Sequence, residues 1–211
     1  MMFWLTGAAA LIAAYLLGST PTGYWAGRLL KGIDIRQHGS KSTGATNVLR
    51  ILGWAPALVV LMVDVLKGAA AVLLMRWVLP DNADLPNALP WAVCLAGLAA
   101  LLGHGRSIWL DFTGGKSAAT GLGVLLAMSW PVGLGAAAIF AAIVATTRLV
   151  SLGSMLAALT AVALVCGLEQ PWAYRLLVIV GSLYVIARHR ANIGRLLAGT
   201  EPRLGQTSPP T

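Results

Sequence analysis

Apolar residues run through this chain in stretches too long for strands and too evenly apolar for helices with one wet face. The first run, Phe3 to Tyr24, is long enough to cross a bilayer, which takes about 20 residues of helix. A second goes from Ile51 to Leu79, interrupted by Asp64 and Lys67. Pro80 to Pro90 is rich in Pro, Asn and Asp and predicts a loop. Trp91 to Leu102 is apolar again, up to His104. Ser117 to Thr147 is too long for one crossing and short for two, so Pro131 and nearby glycines predict two short or tilted helices turning near Ser129–Gly135. Ser151 to Leu168 and Trp172 to Ala187 complete the set, joined by a turn at Glu169–Pro171. The pattern predicts an all-α, polytopic integral membrane protein of about seven transmembrane helices.

Composition agrees. Of 211 residues, 58% are hydrophobic and 10% charged, less than half the charged share of a soluble domain. The spans use most of the chain, so residues 1–204 are expected to form a single transmembrane domain and 205–211, including QTSPPT, a disordered tail. Any site must be built from helix ends and short loops. The N-terminal run lacks a basic leader and is expected to be a first span rather than a cleaved signal.

Net charge is +8. In a water-soluble chain that would bring nucleic acid into view, but here the cations sit at the ends of apolar runs, where they report orientation. Alternating seven spans puts Arg28, Lys31, Arg36, Lys41, Arg50, Arg106, Lys116, Arg148, Arg188, Arg190, Arg195 and Arg203 on one side. Arg76 and Arg175 fall on the other, beside Asp81, Asp84 and Glu169. The positive-inside rule then predicts an outside N-terminus, a cytoplasmic C-terminus and an inner-membrane protein with its polar face in the cytoplasm.

Three segments on that face are more specific than anchoring requires. Ile33 to Arg50 (IDIRQHGSKSTGATNVLR) combines Ser40, Gly44, Asn47 and Arg50 with further hydroxyls, a mixture that suits an anion. A solvated linker with a helix cap near Thr46 is the plainer alternative. In Asp111 to Gly123 (DFTGGKSAATGLG), Gly114, Gly115, Lys116 and Ser117 open into an apolar helix. Free amides and the positive end of the helix dipole favour a phosphate there. The segment is not a nucleotide-binding P-loop, since Leu110 stands six positions before Lys116 where a glycine is required. Arg188 to Glu201 (RHRANIGRLLAGTE) supplies His189, Asn192 and several arginines, also explicable as helix-end charge, and Glu201, expected to pair with an arginine.

Asp64 and Lys67 lie one turn apart in an apolar run and are expected to pair. His104 is open between an interfacial and a site role. Cys94 and Cys166 have no ligand-type neighbours at metal spacing, so neither a metal nor a disulfide is expected.

At these motifs the chain resembles the acyl-phosphate:glycerol-3-phosphate acyltransferase family of PlsY type. The resemblance runs through GSTPTGYWAGRLLKGIDIRQHGSKSTGATNVLR, DVLKG, GH with TGGKSAAT, and RHRANIGRLLAGTE. It implies seven spans and an inward-facing site. The implied reaction moves a fatty acyl group from acyl phosphate to the 1-hydroxyl of sn-glycerol 3-phosphate, giving 1-acylglycerol 3-phosphate and phosphate in the first acylation of phospholipid synthesis. It implies no cofactor, no metal and no obligate protein partner, with membrane lipid as surroundings. By motif, Ser40, Arg50, Lys116, His189 and Asn192 would be catalytic. Gly44, Asn47, Gly114, Gly115, Thr120, Ser151 and Ser154 would bind substrate, and Glu201 would be mainly structural. Lys41, Ser42 and Ser117 stand where the family commonly has glycine or asparagine.

Acyl phosphate is already activated, so proximity and charge stabilisation suffice. The hydroxyl's proton would go to His189 or, favoured in a cation-rich site, to the substrate's own phosphate. No Ser/His/acid set suggests a covalent nucleophile. A transporter for a phosphorylated metabolite is the competing class, weakened by one-sided charge and the lack of an inverted repeat.

Overall fold

The computed structural model describes residues 2–79 and 88–205. Residues 80–87, most of the expected Pro80–Pro90 loop, and 206–211, the expected tail after Gly205, lie outside the described residues.

The described chain is helical with no strand: α1 (Met2–Ser19), α2 (Thr22–Lys31), α3 (Ala45–Leu52), α4 (Trp54–Val78), α5 (Ala88–Gly105), α6 (Ala118–Met128), α7 (Trp130–Thr147), α8 (Val150–Gly167), α9 (Trp172–Arg188) and α10 (Arg190–Leu197). Short 3-10 turns cover Ile35–Gln37 and Ile108–Leu110. Five stretches are long and apolar enough to cross a membrane: Trp4–Lys31 (α1 with α2), α4, α5, α7 and α8. α9 and α10, bent by 59° at His189, count as a sixth if taken as one span, and α6 is a shorter apolar helix.

Several boundaries differ from the apolar runs. Ala88–Pro90 already form the first turn of α5 rather than loop, because proline is tolerated there. The long second run divides at Gly53, whose φ of +94° breaks α3 from α4. The polar segment Ile33–Arg50 is not all linker: from Ala45 it belongs to α3. The division of 117–147 falls at Ser129, the first residue of the expected turn; 130–135 are already helical, so only α6 is short and α7 is long enough to span.

α4 and α6 run parallel, with Gly68 against the Thr120 carbonyl and Arg76 Nη2 donating to Met128 O at 3.2 Å. A Cβ at Gly68 or Gly123 would enter the partner backbone, so these two glycines let the helices touch. The first turn of α6 therefore lies beside the middle of α4, not beside Trp54 where α4 begins. At 1.5 Å per residue, the 11 residues of α6 span about 16 Å, roughly half a bilayer core. The loop entering α6 dips to that depth.

Small buried residues such as Ala10, Ala71, Ala96, Ala100, Val124, Val132 and Ala161 form the central core. A second cluster of Ile35, Val48, Ala57 and Val60 sits under α3. Large apolar side chains point outward, Leu58, Val59, Met62, Leu66 and Leu73 of α4 among them. Such a surface suits lipid, not water. All eight tryptophans are exposed. Trp25, Trp54 and Trp109 mark the loop-rich end of the bundle, and Trp4, Trp77, Trp91, Trp130 and Trp172 the opposite end, an interfacial pattern.

Candidate active site

The three polar segments meet at the loop-rich end around one cleft, with about 890 Å³ of space including its mouth. Ser40, Ser42, Gly44, Asn47 and Arg50 line one side, Lys116 and Ser117 the floor, and Ser151, Ser154, His189, Asn192 and Glu201 the other side.

Asn47 organises the first segment. Buried in the first turns of α3, its amide nitrogen donates to Ile35 O, His38 O and Ser42 O at 2.9–3.2 Å, and its Oδ1 accepts from Ser40 N at 2.9 Å. These bonds fold the segment and present Ser40. Asn47 faces the cleft as scaffold rather than as a free ligand group. Arg50, one turn further along α3, makes no hydrogen bond or ion pair with another described residue. Burial pushes its guanidinium below the usual value while leaving it charged, with Glu201 and Arg195 nearby.

The second segment is a pinned loop. Ser107 Oγ donates to Ser19 O at 2.6 Å, and Arg36, paired with Asp34 at 2.8 Å, reaches Thr113 Oγ1 at 3.3 Å. The Asp34 carboxyl is held below the usual range chiefly by hydrogen bonds from Arg36. Ser117, in the left-handed region at φ +63°, caps α6, and its hydroxyl donates to Leu101 O at 2.7 Å. The first amides of α6 have no intrahelical acceptor and face the loop end. Lys116 Nζ donates to Asn192 Oδ1 at 2.7 Å. Burial pulls the Lys116 ammonium down to about 8; Glu201 opposes this, and Arg195, Arg50 and Arg188 add to it.

The third segment follows the bend after α9. His189 is buried, with Nδ1 2.8 Å from Val185 O. The carbonyl can only accept, so Nδ1 carries the proton and Nε2 is the free acceptor. Asn192 Nδ2 donates to Glu201 Oε1 at 2.6 Å, Ser151 Oγ to the same oxygen at 2.7 Å, and Arg195 Nε to Oε2 at 2.8 Å. Burial opposes ionisation of Glu201, but these three donors outweigh it and hold the carboxyl below its usual range. The expected arginine partner of Glu201 is Arg195.

Three expected contacts fall elsewhere. Thr120 is fully buried where α6 meets α4 and does not line the cleft. Gly114 and Gly115 lie behind Lys116. The Gly115 amide donates to His104 O at 3.1 Å, and Arg188 Nη2 donates to the Gly114 and Gly115 carbonyls at 3.2 and 2.9 Å. The Gly115 amide and both glycine carbonyls are thus used in building the loop. Conversely, the Asp64–Lys67 pair, 2.7 Å apart, is part of a larger cluster: Thr22 Oγ1 donates to Asp64 Oδ1 at 2.7 Å and His104 Nδ1 lies 3.6 Å away. Asp64 and His104 both reach the cleft wall. Helical spacing shows the Asp64–Lys67 pair, but no local signal joins Asp64 to His104, which comes from another helix.

Ser154, Ala118 and Leu122 are shared with an adjoining apolar groove of about 570 Å³, lined by Leu101, Val124, Leu125, Ala157, Ala161, Leu177 and Val178 among others. Polar cleft and apolar groove form one continuous surface. That arrangement suits a molecule with an anionic head and a hydrocarbon tail.

Residues 8–199 match the family model described as glycerol-3-phosphate acyltransferase. The chain is 68% identical to glycerol-3-phosphate acyltransferase 2 of Rhizobium johnstonii, covering 99% of this chain and all of that one. It is 56% identical to the glycerol-3-phosphate acyltransferase of Acaryochloris marina, over 98% of this chain and 96% of the relative. Among solved structures it is similar to PlsY (YgiH), an integral membrane glycerol 3-phosphate acyltransferase. The glycerol 3-phosphate form superposes with a TM-score of 0.86 at 37% identity, covering 94% of this chain and 96% of that one. The lysophosphatidic acid form gives a TM-score of 0.83 at 36% identity. By whole-length match, identity and shared architecture, the chain belongs to the glycerol-3-phosphate acyltransferase family, as a membrane enzyme of PlsY type.

Proposed function

We propose that this enzyme takes its acyl group from acyl phosphate and places it on the 1-hydroxyl of sn-glycerol 3-phosphate. The products are 1-acylglycerol 3-phosphate and inorganic phosphate, the first acylation of phospholipid synthesis. The site faces the cytoplasm from the inner membrane, a sidedness supported by the one-sided distribution of cations. The observation that carries the reading is the cleft with Lys116 and Arg50 at its polar end and an apolar groove opening from it. Two phosphates fit among the cations and the α6 amides, and a fatty chain fits the groove.

In this mechanism Lys116, with the start of α6, holds the phosphate of glycerol 3-phosphate. Asn192 and Glu201 hold Lys116. Arg50 and Ser40 face the acyl phosphate and stabilise charge on the acyl carbonyl and the departing phosphate. The glycerol oxygen bonds to the acyl carbon, the bond from that carbon to the phosphate oxygen breaks, and the hydroxyl proton passes to the phosphate that leaves. His189 Nε2 has the lone pair for that proton, yet burial disfavours a protonated ring, and Lys116 and Arg188 beside it disfavour it further. The phosphate, already dianionic and in place, is the better acceptor. His189 then orients the hydroxyl.

Purified protein given palmitoyl phosphate and labelled glycerol 3-phosphate should release phosphate and form labelled 1-acylglycerol 3-phosphate. Transfer from acyl-CoA with none from acyl phosphate would overturn the donor assignment.

A further inference from the structure

The Gly114–Gly115 peptide is gripped from both sides. Arg188 Nη2 holds the carbonyls of Gly114 and Gly115, and across the trans peptide the Gly115 amide points the other way, onto His104 O at 3.1 Å. The His104 ring completes the grip. A side chain on Gly115 would overlap Nε2 of that ring, so the imidazole fills the space a Cβ would take. The opposite ring nitrogen, Nδ1, faces Asp64 at 3.6 Å, and Asp64 is in turn held by Lys67 and Thr22, each at 2.7 Å. His104 is 7% exposed and Asp64 1%, so both are packed inside the protein.

We propose that His104, fixed by Asp64, is a positioning residue: it sets the Gly114–Lys116 loop from beneath and so places the Lys116 ammonium in the cleft. His104 acts through the loop and takes no part in bond making. The inference rests on the reading that Lys116 seats the phosphate of glycerol 3-phosphate. It accounts for a histidine and an aspartate from two different helices sharing the deep wall of the cleft, with no metal-type cluster among the described residues. It also explains why glycine is required at 115, where φ is not in the left-handed region and backbone freedom is not the reason.

The test is a double-mutant cycle between Gly115 and His104 in the purified enzyme, read as kcat and KM for glycerol 3-phosphate and for the acyl donor. His104→Asn is the partner change: its amide keeps a donor where Nδ1 faces Asp64 and removes the Nε2 edge that fills the Gly115 space. Gly115→Ala alone is expected to lower kcat/KM for glycerol 3-phosphate about 100-fold, the scale of a small misplacement in an active site. In the His104→Asn background the same methyl is expected to cost less than about 5-fold. An equal cost in both backgrounds overturns the proposal. If Gly115→Ala does not fold, His104→Ala and His104→Asn decide. KM for glycerol 3-phosphate should rise about 10-fold in the alanine variant and less in the asparagine variant, with KM for the acyl donor unmoved. No rise, or an equal rise for both substrates, overturns it. Lys116→Ala separates the two failures. An unchanged KM for glycerol 3-phosphate there removes the Lys116 seat and the proposal with it, whereas a defect there with an additive cycle removes only the role of His104.

Discussion

The Lys116 ammonium sits half-buried among Arg50, Arg188 and Arg195, with Asn192 Oδ1 as its acceptor at 2.7 Å. Its pKa of about 8 places its charge at risk just above neutrality. A phosphate binds the charged form, so affinity for glycerol 3-phosphate should be level below pH 8 and fall as the pH rises beyond it. Initial rates across pH 6.5–9.5 should show KM for glycerol 3-phosphate climbing on the alkaline side. Lys116→Ala should abolish that rise and lower kcat/KM by about 100- to 1000-fold, the usual cost of removing one preorganised charge donor. Glu201 works one step behind, since it orients Asn192 and binds Ser151 and Arg195. Glu201→Gln should lower stability by about 2 kcal/mol, as expected for hydrogen bonds to a charged group. The Glu201 carboxyl titrates below its unfolded value in the native state, so its contribution is present above about pH 4.5 and lost as the pH falls through the native value. Thermal unfolding in detergent should show that acid-side loss in the parent and a flatter profile in Glu201→Gln.

Among the helices, α6 carries the most consequence for its length. A full-length span here would close the cleft; a half-length one begins near the level of Asp64 and brings its free amides and Lys116 to the cleft floor. Its depth depends on contact with α4 through Gly68 and Gly123, where a Cβ would enter backbone atoms. Gly68→Ala must push the two helices apart, and overpacking of this kind costs about 3 kcal/mol at its upper range. The expected result is a lower unfolding temperature together with a raised KM for glycerol 3-phosphate, because α6 and its loop move as a unit. A stability loss with unchanged KM would separate α6 depth from substrate placement.

For the whole molecule, the joining of a polar cleft to an apolar groove suits the fold to amphiphiles. Ala157 and Ala161 line the groove away from the cations. Ala161→Phe should shorten the groove, lowering activity with a long-chain acyl donor about 10-fold while a short-chain donor is spared, a difference of about 1.4 kcal/mol in transition-state binding. Competition between donors of different length in one reaction mixture reads this ratio directly. Labelling of single cysteines at positions 41, 109 and 190 in sealed vesicles should find all three on one face; any one on the opposite face is incompatible with a common cleft.

The amino-acid sequence by itself determined the helical membrane class, the break near Ser129 and the convergence of three basic segments, because hydrophobic transfer and charge at helix ends are local properties of the chain. Ser40, Arg50, Lys116, His189 and Asn192, the five residues that family motifs put forward, all line the cleft. Tertiary structure alone decided which side chains face the cleft and which are bonded elsewhere. Asn47 looks like a ligand group in a string of hydroxyls and glycines, but its amide is fully used in folding that string. Thr120 and the two glycines before Lys116 share its motif, yet helix rotation turns Thr120 into α4, and peptide orientation turns the Gly115 amide toward His104 and both glycine carbonyls toward Arg188. Asp64 and His104 are 40 positions apart in the chain. Only the packing of α4 against α5 and α6 brings them to one wall, since side-chain direction across a helix interface depends on how backbones of other helices approach, which no local pattern encodes.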